Sequence, residues 1–264
     1  MFKPMSDLEQ YLYFKLVERD QRVFTIKEIA DILDISPQHA RNIASDMVKK
    51  NIAERVKPGL YIRIPESILL NKKLYREDAI LIANKSIKKG YLSHYTALYL
   101  HGLAERYTKK IYITSSKHHR DIVYHDIIIK YVYTNPKRYF GIETIEYSNE
   151  KITISNIERT IIDVINKPWY SGGWRETINC LKNIENINWE KLLKYIIRFN
   201  NKTLARKIGY IIENLEYSIP DNIKKKIKEW SGENIYYFDN HRKGFLDKNW
   251  NIIIPEEIYK MLYA

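Results

Sequence analysis

The chain has 264 residues, 29% of them charged and 45% hydrophobic, which excludes a wholly disordered chain because enough apolar side chains are present to offset ordering entropy. Forty-four Lys and Arg stand against 32 Asp and Glu, a net charge of +12, so the expected partners are polyanions: nucleic acid, an anionic membrane surface or an acidic protein. A lone cysteine, Cys180, excludes an intramolecular disulfide framework and a cysteine zinc cluster, and fits a reducing cytoplasm.

The first 66 residues read as a separate domain. Ser6 is placed to cap a helix carrying Leu8, Tyr11, Leu12, Leu16 and Val17 at helical spacing. Thr25 with Glu28 three residues on is a capping-box pattern, and Ile26, Ile29, Ala30 and Leu33 give that second helix an apolar face. A short turn at Asp34-Ile35 leads to Ser36-Pro37, an N-cap followed by a proline at the first helical position. The third helix is expected to bury Ala40, Ile43, Ala44, Met47 and Val48 and to leave Gln38, His39, Arg41, Asn42, Ser45 and Lys49 outside. Two strand-like runs then flank Lys57-Pro58-Gly59, a turn pair in which proline fixes one φ and glycine supplies a positive one. Helix, helix, turn, helix, hairpin is the winged helix-turn-helix plan, whose third helix enters the major groove of DNA.

Charge is polarised within this domain. Residues 36–63 carry +4, while residues 1–35 carry −2. Gln, His, Arg and Asn on the outer face of the third helix are base-reading types. The expected DNA contacts are therefore Ser36, Gln38, His39, Arg41, Asn42 and Ser45 to the groove and Lys49, Arg55, Lys57 and Arg63 to phosphates, with Tyr61 packed beside the wing. A protein-interaction winged helix is the alternative reading.

Residues 67–264 are expected to form a larger α+β domain. A polar linker runs into a helix near Tyr75 to Ile87, with Gly90 as its C-cap. Ser93 is placed to cap a short apolar helix that stops at Gly102. Strands are expected at 111–114, 121–124, 127–133, 140–147 and 151–154. Helices then follow near 156–166, 174–184, 189–199, 202–215 and 223–230, with closing strands at 236–238 and 250–254. A run of strands followed by a run of helices is an α+β pattern.

Several separated segments carry a family resemblance. They are Tyr91 to Leu98 with Leu100-His101-Gly102-Leu103, Tyr139-Phe140-Gly141, Ile154 to Asp163 with Glu158, Arg159 and Asp163, the Ser171-Gly172-Gly173 loop, and Arg206 to Glu213 with Gly209. In order and spacing they resemble the AbiEi-type antitoxin family of abortive-infection toxin–antitoxin pairs. The resemblance implies a winged helix that represses its own operon, a repeat near the promoter as its target, and a larger domain that antagonises a cognate nucleotidyltransferase toxin. His101, Gly102, Glu158, Arg159, Asp163, Gly172, Gly173, Gly209 and Glu213 are then structural or partner-facing residues. A departure is Lys207, which stands where the family often has Arg, with Arg206 one place earlier.

Residues 67–264 also hold most of the basic excess, about +11. Lys202, Arg206 and Lys207 form a possible second phosphate-contacting face, and Lys224, Lys225, Lys226 and Lys228 crowd another helix. Enzyme readings find little. His118, His119 and His125 fit no zinc spacing, Cys180 reads as a core residue, and Gly172-Gly173 lacks the Lys-Ser/Thr of a phosphate loop. No acid, base and nucleophile assemble, and no cofactor, metal or membrane contact is expected. The function expected is a non-enzymatic, cytoplasmic DNA-binding antitoxin and autorepressor. The alternatives are a toxin-sequestering interaction module and a solitary ligand-responsive regulator.

Overall fold

The computed structural model describes residues 4–71, 75–240 and 242–263. Residues 72–74, part of the expected linker, lie outside them. The chain divides into two compact units. The first comprises Met1–Gly90, Arg120–Lys130 and Glu146–Ile152, and the second Tyr91–His119, Tyr131–Ile145 and Thr153–Ala264. The boundary expected after residue 66 falls inside the first unit.

The first unit begins with the expected helices. Helix α1 (Asp7–Glu18) starts at a complete capping box, with Ser6 and Glu9 satisfying each other's backbone N–H groups. A short strand, β1 (Val23–Thr25), precedes α2 (Ile26–Leu33), which opens on the Thr25–Glu28 capping box. Asp34 takes the left-handed conformation (φ 50°) that ends α2 and turns the chain into α3 (Pro37–Lys49), capped by Ser36. The wing is β2 (Ala53–Lys57) and β3 (Leu60–Arg63), with Gly59 at φ +84°. The sheet has the order β1-β3-β2, Val23 pairing Ile62 and Arg55 pairing Tyr61. Leu12, Leu16, Phe24, Ile29, Ala40, Ala44 and Met47 are wholly buried beneath it, each large side chain contributing about 1.5–3 kcal/mol of transfer free energy. Two differences from the sequence reading stand out. Strand β1 is too short to show alternation in sequence. Leu8, Tyr11 and Val17 of α1 stay exposed, and Tyr13 takes the core position instead.

The 67–89 segment carries α4 (Glu66–Asn71) and α5 (Ala79–Lys85), the latter capped by Asp78. Gly90 is not a C-cap, since α5 ends at Ser86 and Gly90 opens strand β4 (Gly90–Leu92). Then follow α6 (His94–Leu100), β5 (Lys110–Ser115), β6 (Ile122–Tyr124), β7 (Ile127–Tyr133), β8 (Ile142–Tyr147) and β9 (Glu150–Ser155). These strands have the order β6-β7-β5-β4-β9-β8, with β4 parallel to β9 and β6 antiparallel to β7. Ser93 precedes α6 without a side-chain cap, because its hydroxyl accepts a hydrogen bond from Thr114 Oγ1.

The second unit continues with α7 (Ile157–Asn166), α8 (Trp174–Leu181), α9 (Trp189–Phe199), α10 (Lys202–Asn214) and α11 (Asp221–Ser231). Strands β10 (Tyr236–Tyr237), β11 (Phe245–Asp247) and β12 (Ile252–Ile254) form a small sheet of order β10-β12-β11, and α12 (Glu256–Tyr263) follows. Neither β11 nor α12 was expected from the sequence. The core of this unit runs through Ile162, Leu181, Ala205, Ile211, Trp250 and Ile254, all wholly buried. The architecture is α+β, with an N-terminal winged helix.

Candidate nucleic-acid interface

Helix α3 separates its residues by face. Ala40, Ile43, Ala44 and Met47 point into the core, while Gln38, His39, Arg41, Asn42, Ser45 and Lys49 are exposed. Their spacing of three or four sets them on one side of the helix. Ser36 Oγ accepts from His39 N at 3.2 Å, so this hydroxyl serves the helix start. Arg41 Nη1 donates to Gln38 Oε1 at 3.2 Å, which links the two longest base-reading side chains. Lys49 pairs with Asp46 at 2.8 Å, and the hydrogen bond to this ammonium holds the Asp46 carboxyl below its usual range.

An open groove of about 490 Å³ lies between α3 and the wing, lined by Ile26, Arg41, Ser45, Arg55, Pro58 and Tyr61. Gly59 also borders it, and its carbonyl accepts from Ile26 N at 3.3 Å, which ties the wing tip to the start of α2. Arg41 and Arg55 thus bring two guanidinium groups to one groove. Lys27 is a cation the sequence reading missed. It is exposed on α2 and lines a hollow with Arg41 on its far side. The signal was present, since the apolar face of α2 at Ile26, Ile29, Ala30 and Leu33 leaves Lys27 outside.

Three expected contacts sit elsewhere. Arg63 is only 5% exposed, its guanidinium paired with Glu66 at 3.4 Å and 5.4 Å from the ring centre of Tyr13. A phosphate cannot reach it without breaking that packing. Lys57 is half-buried and its Nζ donates to the Ser86 carbonyl at 2.7 Å; burial lowers its pKa. Tyr61 is buried, stacked on Phe24 with ring centres 5.9 Å apart, so it supports the wing from inside. Strand β3 is the central strand of its sheet and is buried along its whole length, which takes Tyr61 and Arg63 from solvent, and Lys57 lies past a register shift that separates it from the exposed Arg55.

Residues 11–64, from α1 to the end of the winged helix, match the family model described as "Transcriptional regulator, AbiEi antitoxin". Over those residues the winged helix is similar to the AbiEi antitoxin regulators. The solved structure of the RV2827C protein from Mycobacterium tuberculosis is similar to the chain at a TM-score of 0.64 and 11% identity, over 99% of this chain and 95% of that one, a likeness of fold. No curated protein matches the sequence. The AbiEi-like segments between 91 and 213 lie outside the matched residues.

Those segments are placed as follows in the second unit. Arg159 is wholly buried, with Nε on Asp163 Oδ1 at 3.0 Å and Nη1 on the Arg138 carbonyl at 2.6 Å. Phe140 and Phe199 flank the guanidinium at 4.7 and 5.3 Å. Asp163 also accepts from Tyr91 Oη at 3.1 Å, and burial pushes the Tyr91 phenol upward. Glu158 is buried, accepting from Asn188 N and pairing with Lys191 Nζ at 2.8 Å. The pair Arg159–Asp163 is therefore a buried anchor rather than an exposed helix pair. His101 Nε2 meets the Ser155 carbonyl at 2.7 Å, and Gly102 (φ +73°) ends the helix turn before it. Gly172 and Gly173 make a tight turn with φ +80° and +87°.

Helix α10 has a similar logic. A Cβ on Gly209 would stand 2.2 Å from two ring carbons of Trp250, and Glu213, one turn on, accepts from Trp250 Nε1. The expected basic face at Lys202, Arg206 and Lys207 is not formed. Lys202 is exposed, but Arg206 is 2% exposed and donates to the carbonyls of Lys228 and Gly232 at the end of α11. Lys207 lies 5.1 Å from the Phe238 ring centre, where burial lowers its pKa. Lys224 pairs with Glu213, and Lys226 with Glu190 at 3.8 Å.

His118 stacks on Tyr133 at 4.2 Å, the rings of His119 and Tyr131 meet tilted with centres 5.0 Å apart, and His125 faces Glu54 at 3.4 Å. Among the described residues no group of three His, Cys, Asp or Glu could hold a metal ion, and no helix is long and apolar enough to cross a membrane.

Proposed function

We propose that the chain is a DNA-binding antitoxin that represses its own toxin–antitoxin operon in abortive infection and counteracts a nucleotidyltransferase toxin. The reading rests on one observation. The start of α3 presents Gln38, His39, Arg41, Asn42 and Ser45 to solvent, beside a groove that Arg55 closes from the wing. Bidentate donors and acceptors at the N-terminal half of a recognition helix match the base edges of the major groove. Lys49, Arg55 and Lys27 surround them with cations for phosphates. Gene regulation needs no reacting group at this surface, and the reading is non-enzymatic. The toxin partner rests on the AbiEi-type resemblance.

The experiment is titration of the purified chain against its own upstream region and a scrambled duplex, at two salt concentrations. Preference for the upstream duplex that persists at the higher salt is the expected result. Equal and steeply salt-dependent binding to both duplexes would leave only the net charge acting, and the autorepressor reading would be abandoned.

A further inference from the structure

Gln38 lies in the first turn of α3 and Arg41 one turn on, both exposed. At about 100° per residue, Gln38 stands opposite the buried Ala40, Ile43, Ala44 and Met47, at the centre of the outward face. Arg41 springs from about 60° round the helix, on the side where it lines the groove with Ser45 and Arg55. Its guanidinium is drawn to Gln38, because Nη1 donates to Gln38 Oε1 at 3.2 Å. Among the described residues this is the one side-chain hydrogen bond that Arg41 makes, and no carboxylate pairs with it. The contact fixes the chemistry of both partners. A guanidinium carries donors alone, so the Gln38 atom facing it is the carbonyl oxygen, and the amide NH₂ is left for another partner. A glutamine that reads adenine needs that oxygen as acceptor for N6. Here the oxygen is already engaged. What the pair offers a base edge is donors: the remaining N–H groups of Arg41 and the NH₂ of Gln38.

We propose that Gln38 is a positioning residue for Arg41 and that the pair reads a guanine in the major groove of the operator. This rests on the DNA-binding reading above and names the base it selects. Guanine is the base whose major-groove edge carries two acceptors, O6 and N7. Adenine has a donor at N6, cytosine has a donor at N4, and thymine sets one acceptor beside a methyl group. A pair that offers donors therefore matches guanine and meets an opposed donor at adenine or cytosine. Holding the guanidinium in place before contact also removes part of the ordering cost that an unsupported arginine side chain meets on binding. The groove agrees in sign. Its lining residues include Arg41 and Arg55 and no carboxylate, a field that favours the electronegative edge of guanine.

The test uses the full chain and its own upstream duplex, with each guanine replaced in turn by 7-deazaguanine, which keeps base pairing and removes the N7 acceptor. Binding is read by fluorescence anisotropy. At least one replacement is expected to weaken wild-type binding about fivefold or more, and Arg41→Ala should be indifferent to that same replacement. Gln38→Met removes the amide and keeps the length of the side chain. It should reduce the preference for guanine over adenine at that position by about threefold or more, with unchanged circular dichroism. A merely structural role for Gln38 would weaken the guanine and adenine duplexes alike. If the upstream duplex is preferred to a scrambled one and no 7-deazaguanine weakens binding, or if Gln38→Met leaves the guanine preference intact, the proposal is overturned and the DNA-binding reading stands. Equal binding to the upstream and scrambled duplexes overturns both.

Discussion

Gly209→Ala places one methyl group where the ring of Trp250 already lies. The added Cβ would sit 2.2 Å from two ring carbons and 2.6 Å from a third, against about 3.5–4.0 Å for ordinary carbon contacts. The ring has no easy retreat. Trp250 is wholly buried, its indole N–H is bonded to Glu213, and Lys228 lies 5.1 Å from the ring centre. Overpacking of a tight core costs about 1–3 kcal/mol, and expulsion of the ring would cost about 3–5 kcal/mol. Alanine returns about 1 kcal/mol of helix propensity over glycine. The expected net loss is about 2–4 kcal/mol, which urea denaturation followed by circular dichroism and tryptophan fluorescence resolves. In a double-mutant cycle, adding Trp250→Leu should make Gly209→Ala much less costly than it is alone. If Gly209→Ala instead gains the roughly 1 kcal/mol of helix propensity, the ring does not occupy that socket and the packing argument fails.

Four further outcomes are expected. Arg41→Ala should cost about 1–3 kcal/mol of binding to the upstream duplex and relax its sequence preference, measured by fluorescence anisotropy; a uniform loss on all sequences would assign Arg41 to phosphates. Asp163→Ala strands the buried Arg159 guanidinium and should destabilise by about 3–5 kcal/mol, read as a lowered thermal midpoint, with Arg159→Met/Asp163→Leu recovering part of it. His94 is wholly enclosed and burial lowers its pKa to about 4, so the unfolded chain binds its proton first as pH falls. Stability is then complete above about pH 6.5 and falls towards pH 4, by an amount on the order of 3 kcal/mol; His94→Asn, a residue that tolerates the φ of +53° there, should flatten that part of the pH profile. Burial and the nearby Glu176 push the Cys180 thiol up to about 12, so iodoacetamide at pH 8 should label it in the unfolded chain and leave the native one unmodified.

The winged helix was legible because each of its boundaries has a local chemical cause. Ser6 with Glu9, Thr25 with Glu28, and Ser36 before Pro37 start helices through side chains that sit within four residues of the backbone groups they satisfy. Elements held by distant partners were not legible. Strand β1 exists through its pairing with β3, and β11 through β12; each is three residues long, too short for a periodicity to show. Gly90 illustrates the same limit from the other side. A glycine after a helical run suggests a C-cap, but here the next strand begins at that residue.

The candidate site divides along the same line. The side chains of α3 were assignable because helical spacing fixes which face is apolar, and Gln38, Arg41 and Ser45 are exposed as that spacing requires. Lys57 and Arg63 were misplaced because counting cations along a hairpin ignores which of them find intramolecular acceptors, here Ser86 and Glu66. The AbiEi-like segments of the second unit carry a related lesson. Arg159, Asp163 and Glu158 anchor α7, Arg206 closes the end of α11, and Gly209 with Glu213 makes the socket for Trp250. These residues are fixed by demands of packing and charge satisfaction inside the unit, where a substitution costs stability whatever the unit binds. A recognition surface has to be exposed, and these side chains are not. Contacts with any toxin are therefore to be sought among exposed groups between the motif segments, such as Trp169 and Tyr107 at 62% and 45% exposure, rather than in the motifs that make the resemblance recognisable.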